Sequence, residues 1–107
     1  MTTITTNTNI VTLINVFTVQ PENQQRLADL LIEATRLTMR KQPGYISANI
    51  HKSLDGTRVT NYAQWHSKED FEAILQNSEA ATHMKEASQI AIKFEPYLYE
   101  VSFIDEL

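Results

Sequence analysis

Residues 45–66 read YISANIHKSLDGTRVTNYAQWH, two runs of alternating side chains joined by Asp55-Gly56. Such a dipeptide between alternating runs is a strong hairpin signal, because a type I′ turn needs positive φ at both central residues. With Leu54 facing Thr57, the register places Ile50 opposite Asn61 and Ile46 opposite Trp65. One hairpin face then carries Ile46, Ala48, Ile50, Val59, Asn61, Ala63 and Trp65. Tyr45, Ser47, Asn49, His51, Thr60, Tyr62, Gln64 and His66 take the other. The first is a core face with one polar intruder, Asn61.

Upstream, IVTLINVFTV (residues 10–19) is a β-branched and aromatic run of strand type. Val11, Leu13, Asn15, Phe17 and Val19 share one side of it, so here too an Asn interrupts an apolar row. Pro21 and Glu22 open a helix, since Pro is tolerated in the first turn where its missing N–H is not needed. Leu27, Leu30, Leu31, Ala34 and Leu37 give that helix an apolar stripe, and Pro43-Gly44 ends it.

Downstream, Ser67 is placed to cap a short helix whose inward residues are Phe71, Ile74 and Leu75. Ser78 is placed to cap a longer one with the stripe Ala80, Met84, Ala87 and Ala91. Pro96 stops the helical pattern, and YLYEVSFI (97–104) reads as the last strand. Residues 1–9, MTTITTNTN, read as a flexible tail ahead of a single domain over residues 10–107.

The order β-α-β-β-α-β is the ferredoxin-like arrangement, an α+β fold with a four-stranded antiparallel sheet. Right-handed crossovers put the helices on one side of that sheet. The first and third strands are its central neighbours, so Asn15, Asn61 and Trp65 converge between sheet and helices. A buried amide without a partner costs about 1–3 kcal/mol. Two of them beside the only Trp of the chain point to a pocket rather than to plain core. The opposite sheet face, with Ile10, Ile14, Val16, Tyr45 and Tyr62, is too apolar for water and too polar for a monomer core. A homodimer joined through these faces is the expectation.

Composition narrows the function. The 107 residues are 42% hydrophobic and 21% charged, as in an ordinary globular domain. With a net charge of −4 and no basic run, neither nucleic acid nor anionic lipid is an expected partner. No apolar stretch is long enough to span a bilayer. The absence of cysteine removes thiolate chemistry and Cys-bound metal, and fits a cytoplasmic setting. His51, His66 and His83 have no metal-ligand spacing, so no metal is expected. His83 falls on the wall of the pocket, where it is a candidate base.

The runs PGYISANIHKSLDGT and GTRVTNYAQWHSKEDFEAIL resemble the antibiotic biosynthesis monooxygenase family of dimeric α+β barrels. The similarity spans nearly the whole chain after the tail. It is strongest to members that oxidise anthrone-type aromatic polyketides with O2 and neither metal nor flavin. The resemblance implies catalytic roles for Asn15, Asn61 and Trp65, and no cofactor. It places Lys85 where some relatives carry a cationic helix residue, and Phe71 where some carry a Tyr. Together with Ile74 and His83 on the helical wall of the pocket, Phe71 and Lys85 are the expected substrate-binding residues. Two other functions fit the fold. A haem-degrading monooxygenase would share Asn15, but has Ile74 in the place of a Trp and Met84 in the place of a His. A non-catalytic dimer that binds a small metabolite would use the same cavity.

Overall fold

A computed structural model describes residues 1–107. The strands are β1 (Val11–Thr18), β2 (Tyr45–Lys52), β3 (Arg58–Trp65) and β4 (Lys93–Tyr99), and the helices are α1 (Gln24–Leu37), α2 (Lys68–Ala73) and α3 (Ser78–Ile90). Short 3-10 turns at Pro21–Asn23, Met39–Lys41 and Ile74–Gln76 flank α1 and follow α2. The sheet order is β2-β3-β1-β4 and every pairing is antiparallel, which is the expected ferredoxin-like α+β fold.

The helices cover the face that carries Leu13, Asn15, Phe17 and Val19. Phe17, Val19 and Val59 pack there against Leu27, Ala28 and Leu31 of α1 and Ala87 of α3. A second, smaller core gathers Leu13, Ala63 and Trp65 with Tyr45, Phe71 and Ile74 around them. Leu37, read as the last rung of the α1 stripe, is 50% exposed. The helix ends there, and the chain leaves through the Met39–Lys41 turn.

The hairpin register holds in its middle, with Ile50 opposite Asn61 and Ala48 opposite Ala63. It changes at the open end, where the ladder is irregular between Tyr45 and Ser47 and Tyr45, not Ile46, pairs with Trp65. An extra residue in one strand turns the preceding side chains to the opposite face. Tyr45, expected on the outer face, therefore joins the core side. The turn is not type I′ either. Only Gly56 has positive φ (82°), and Asp55 does not. The Asp55 carboxylate accepts from the Thr57 amide at 3.0 Å, the Thr57 hydroxyl at 2.7 Å and the Ser53 hydroxyl at 2.8 Å. That side-chain scaffold shapes the loop in place of a second positive φ.

Two other boundaries differ from the sequence reading. The Ser67 hydroxyl caps α2 by accepting from the Asp70 amide, as expected, but α3 is capped by Asn77, not Ser78. Its Oδ1 accepts from the Ala80 amide at 2.9 Å, and Asn is as good a cap as Ser. The last strand spans Lys93–Tyr99 rather than 97–104, with Pro96 inside it opposite Asn15. A proline is tolerated there because β4 is an edge strand.

On the outer face, residues 1–9 form no helix or strand. The Thr2 hydroxyl donates to Asn49 Oδ1 and the Gln64 amide donates to the Thr3 carbonyl. These bonds lay the segment over β2 and β3, where Gln64 is buried. No helix is long and apolar enough to cross a membrane.

Candidate active site

β1 and β3 place Asn15 and Asn61 directly opposite each other. In an antiparallel ladder such partners have Cβ atoms about 4.5–5.5 Å apart, close enough for one amide to satisfy the other. They do not. Asn15 Oδ1 and Asn61 Oδ1 are both buried without a hydrogen-bond partner. Along each strand the Asn separates the two apolar cores, and the gap between those cores is a cavity of about 170 Å³. Both carboxamides line it.

Trp65 stands four residues beyond Asn61 on the same face and is 2% exposed. The rings of Tyr45 and Phe71 hold it from two sides. Tyr45 meets it edge to face with centroids 5.7 Å apart, and Phe71 lies at 6.1 Å and 67°. Such edge contacts add about 0.5–1.5 kcal/mol each beyond area burial, so the indole is fixed. Its Nε1–H, which can only donate, is buried without an acceptor.

The third wall comes from the helices. His83 and Met84 of α3, Leu31, Ala34 and Thr35 of α1, and Met39 beyond it all face the cavity. Thr38, at the C-terminal cap of α1, is 1% exposed. Its hydroxyl donates to Glu79 Oε2 at 3.1 Å and lies 3.1 Å from His83 Nε2. His83 Nδ1 is the fourth buried polar atom without a partner.

Of the residues expected from sequence, Asn15, Asn61, Trp65, Phe71, Ile74 and His83 all line this one cavity. Lys85 does not. It is exposed on α3, because two residues along a helix is over half a turn and points away from His83. Tyr45 was missed because of the bulge. Phe94 and Pro96, also on the wall, were missed because Pro96 was read as a helix stop. Burial raises the Tyr45 phenol above its ordinary pKa, with Arg40 pulling it the other way, so the ring keeps its proton at neutral pH.

Residues 10–87 match the profile of the family described as antibiotic biosynthesis monooxygenase. The chain belongs to that family. Within it, the chain is 43% identical over 83 residues to tetracenomycin-F1 monooxygenase of Streptomyces glaucescens, covering 78% of this chain and 74% of that protein. The fold is shared with a monooxygenase of Streptomyces coelicolor solved in complex with nanaomycin D, at TM-score 0.79, 23% identity and 92% of each chain. It is also shared with SnoaB, a cofactor-independent oxygenase of Streptomyces nogalater, at TM-score 0.74 and 19% identity, over 90% of this chain and 96% of that one.

Proposed function

We propose that this chain is a cofactor-independent monooxygenase that oxidises an electron-rich aromatic small molecule of the anthrone or quinol type with O2. The observation that carries this reading is the set of four buried, unpartnered polar atoms on one apolar cavity: Asn15 Oδ1, Asn61 Oδ1, Trp65 Nε1 and His83 Nδ1. A buried polar atom without a partner costs about 1–3 kcal/mol, so four around one space describe a ligand with complementary groups. An apolar wall with a few convergent polar groups is also the general form of a small-molecule site.

The chemistry asks little of the protein. For an anthrone, a ring methylene is oxidised to a carbonyl: R2CH2 + O2 gives R2CO + H2O. The carbon gives up four electrons and O2 takes them, one oxygen entering the carbonyl and the other leaving as water. Deprotonation makes the substrate an enolate rich enough to reduce O2 itself, so the substrate does what a flavin otherwise does. The site binds the flat rings, excludes water and stabilises the developing oxyanion. The Nδ2–H groups of Asn15 and Asn61 donate to that oxygen, each being worth about 2.7–4 kcal/mol, their Oδ1 atoms accept from hydroxyl groups of the substrate, and Trp65 orients the rings. Three relatives support the class by name: a tetracenomycin-F1 monooxygenase, a cofactor-independent oxygenase and a monooxygenase that holds nanaomycin D. The test is a panel of anthrones and hydroquinones in air-saturated buffer, with quinone absorbance followed on metal-stripped protein. Absorbance growing no faster than without protein, across the panel, contradicts the reading and favours a metabolite-binding dimer.

The same reading includes a homodimer joined through the outer sheet faces. Ile14 lies beside Tyr97 there, and Tyr97 and Tyr99 are 61% and 49% exposed. Beyond β4 the chain carries the exposed Phe103 and Ile104, apolar surface that a second copy would cover. Sedimentation is expected to give twice the 12.3 kDa chain mass, and Val16→Glu to give the monomer. A monomer for both contradicts it.

A further inference from the structure

We propose that His83 Nδ1 is the proton acceptor of this reaction, held ready by a chain of hydrogen bonds through Thr38 to Glu79. The inference rests on the monooxygenase reading above and goes beyond it by naming the base and the residues that set its tautomer.

The argument begins with one proton. The Thr38 hydroxyl has a single hydrogen and sits between two groups, Glu79 Oε2 and His83 Nε2, at 3.1 Å from each. A carboxylate can only accept, so the hydroxyl proton points to Glu79. The Thr38 oxygen is then an acceptor toward His83, and the hydrogen of that bond belongs to Nε2. A neutral imidazole carries one N–H. Its Nδ1 is therefore left with a free lone pair, and that is the atom buried without a partner. Glu79 and His83 are four residues apart on α3, hence on one face of the helix, and the buried Thr38 reaches both from the end of α1.

Elimination supports the same atom. Among the residues that line the cavity, only His83 and Tyr45 titrate. The Tyr45 phenol is held in its protonated form by burial, with Arg40 opposing, so it is no base near neutrality. Asn15, Asn61 and Trp65 cannot take a proton under these conditions. His83 is the one general base on the wall.

The proton step then balances. A methylene C–H bond of the substrate breaks, its electron pair stays on the substrate as enolate, and an N–H bond forms at Nδ1. The imidazolium shares its charge along Nε2–H to Thr38 and from Thr38 to the Glu79 carboxylate. After O2 adds to the carbanion carbon, the peroxide anion takes the proton back from Nδ1 and loses water to give the carbonyl. His83 is catalytic in this account. Thr38 and Glu79 are positioning residues.

Two readouts test it. The first is 15N NMR of the His83 ring in the intact protein without substrate. The Nε2–H tautomer is expected, moving toward Nδ1–H in Glu79→Ala, because the freed Thr38 proton can then turn to Nε2. Glu79 is exposed, so this variant is expected to fold, and Thr38→Ser is expected to keep the wild-type tautomer. The second is turnover. His83→Gln is expected to lower kcat by about 10²-fold or more with KM little changed, and to remove the acid limb of the pH profile. The titratable and charged groups that face His83 are Glu79 through Thr38 and, across the cavity, Tyr45 with Arg40 near it. Glu79→Ala and Tyr45→Phe are therefore profiled alongside.

A wild-type ring in the Nδ1–H form, or a tautomer indifferent to Glu79→Ala, overturns the chain. Full turnover by His83→Gln overturns the base. Should the wild type oxidise nothing in the panel, the monooxygenase reading fails and His83 loses its role as base, while the NMR result still decides whether Thr38 and Glu79 set its tautomer.

Discussion

Asn15 of β1 and Asn61 of β3 face each other across the central ladder of the sheet, yet neither carboxamide oxygen has a partner. Two neighbouring amides that could satisfy each other are both turned to the cavity. Stability alone does not select this arrangement, since apolar residues on the same rows would join the two cores. Asn15→Ala or Asn61→Ala is therefore expected to cut turnover by about 10²–10³-fold while leaving the melting temperature unchanged or slightly raised. Thermal unfolding and steady-state kinetics on one preparation check both halves.

Trp65 is the only Trp of the chain, and it lies on the cavity wall. Intrinsic fluorescence is then a direct report of occupancy. A flat aromatic ligand is expected to quench it saturably, with affinity weakened by Asn61→Ala. Trp65→Phe keeps a ring between Tyr45 and Phe71 and is expected to fold, whereas Trp65→Ala is expected to cost about 3–5 kcal/mol. Titration and chemical denaturation separate these outcomes.

Gly44 precedes β2 with φ at +85°, and a Cβ there would stand 2.3 Å from Asp70 Oδ2. Gly44→Ala meets both an unfavourable backbone conformation and a clash, so a loss of more than about 1 kcal/mol is expected. Adding Asp70→Gly, which removes the Cβ as well as the carboxyl that stand in the way, relieves the clash but not the strain, and recovers part of the loss once the cost of Asp70→Gly alone is subtracted. Denaturant midpoints of the single and double variants measure the two contributions.

The turn at Asp55 predicts an acid effect. Hydrogen bonds from the Thr57 amide, the Thr57 hydroxyl and the Ser53 hydroxyl hold the Asp55 carboxyl at a pKa of about 2, below its ordinary value of 3.8. A carboxyl lowered on folding stabilises the protein above its unfolded pKa and loses that contribution as pH falls through the folded one. The melting temperature of Asp55→Ala is thus expected to lie below wild type at pH 6, with the gap closing between pH 4 and pH 2. A gap that does not change over this range contradicts the assignment.

The sequence made the fold readable because the local signals agreed. Alternation, the Asp55-Gly56 turn and the helical stripes all imposed one element order, and the register they implied brought Ile50 to Asn61. The same logic failed at Tyr45, because a bulge at Ile46 leaves no mark in the alternation before it. It failed again at β4, where Pro96, which reads as the stop of a helix, sits inside an edge strand. In the site, Asn15, Asn61 and Trp65 were legible as polar or aromatic breaks in apolar rows. The link from Thr38 to His83 was not, because it joins the cap of one helix to the first turns of another, 45 residues apart. Lys85 was read from resemblance, and the helix phase turns it to solvent.

Whether the Asn15–Asn61 pair and Trp65 form an oxygenase site is decided by O2 uptake measured together with quinone formation. With metal-stripped protein and an anthrone, one O2 is expected to be consumed per quinone formed, at a rate above the uncatalysed one and reduced about 10²–10³-fold in Asn61→Ala. Equal rates for wild type and Asn61→Ala, or quinone formation no faster than in protein-free buffer, would contradict it.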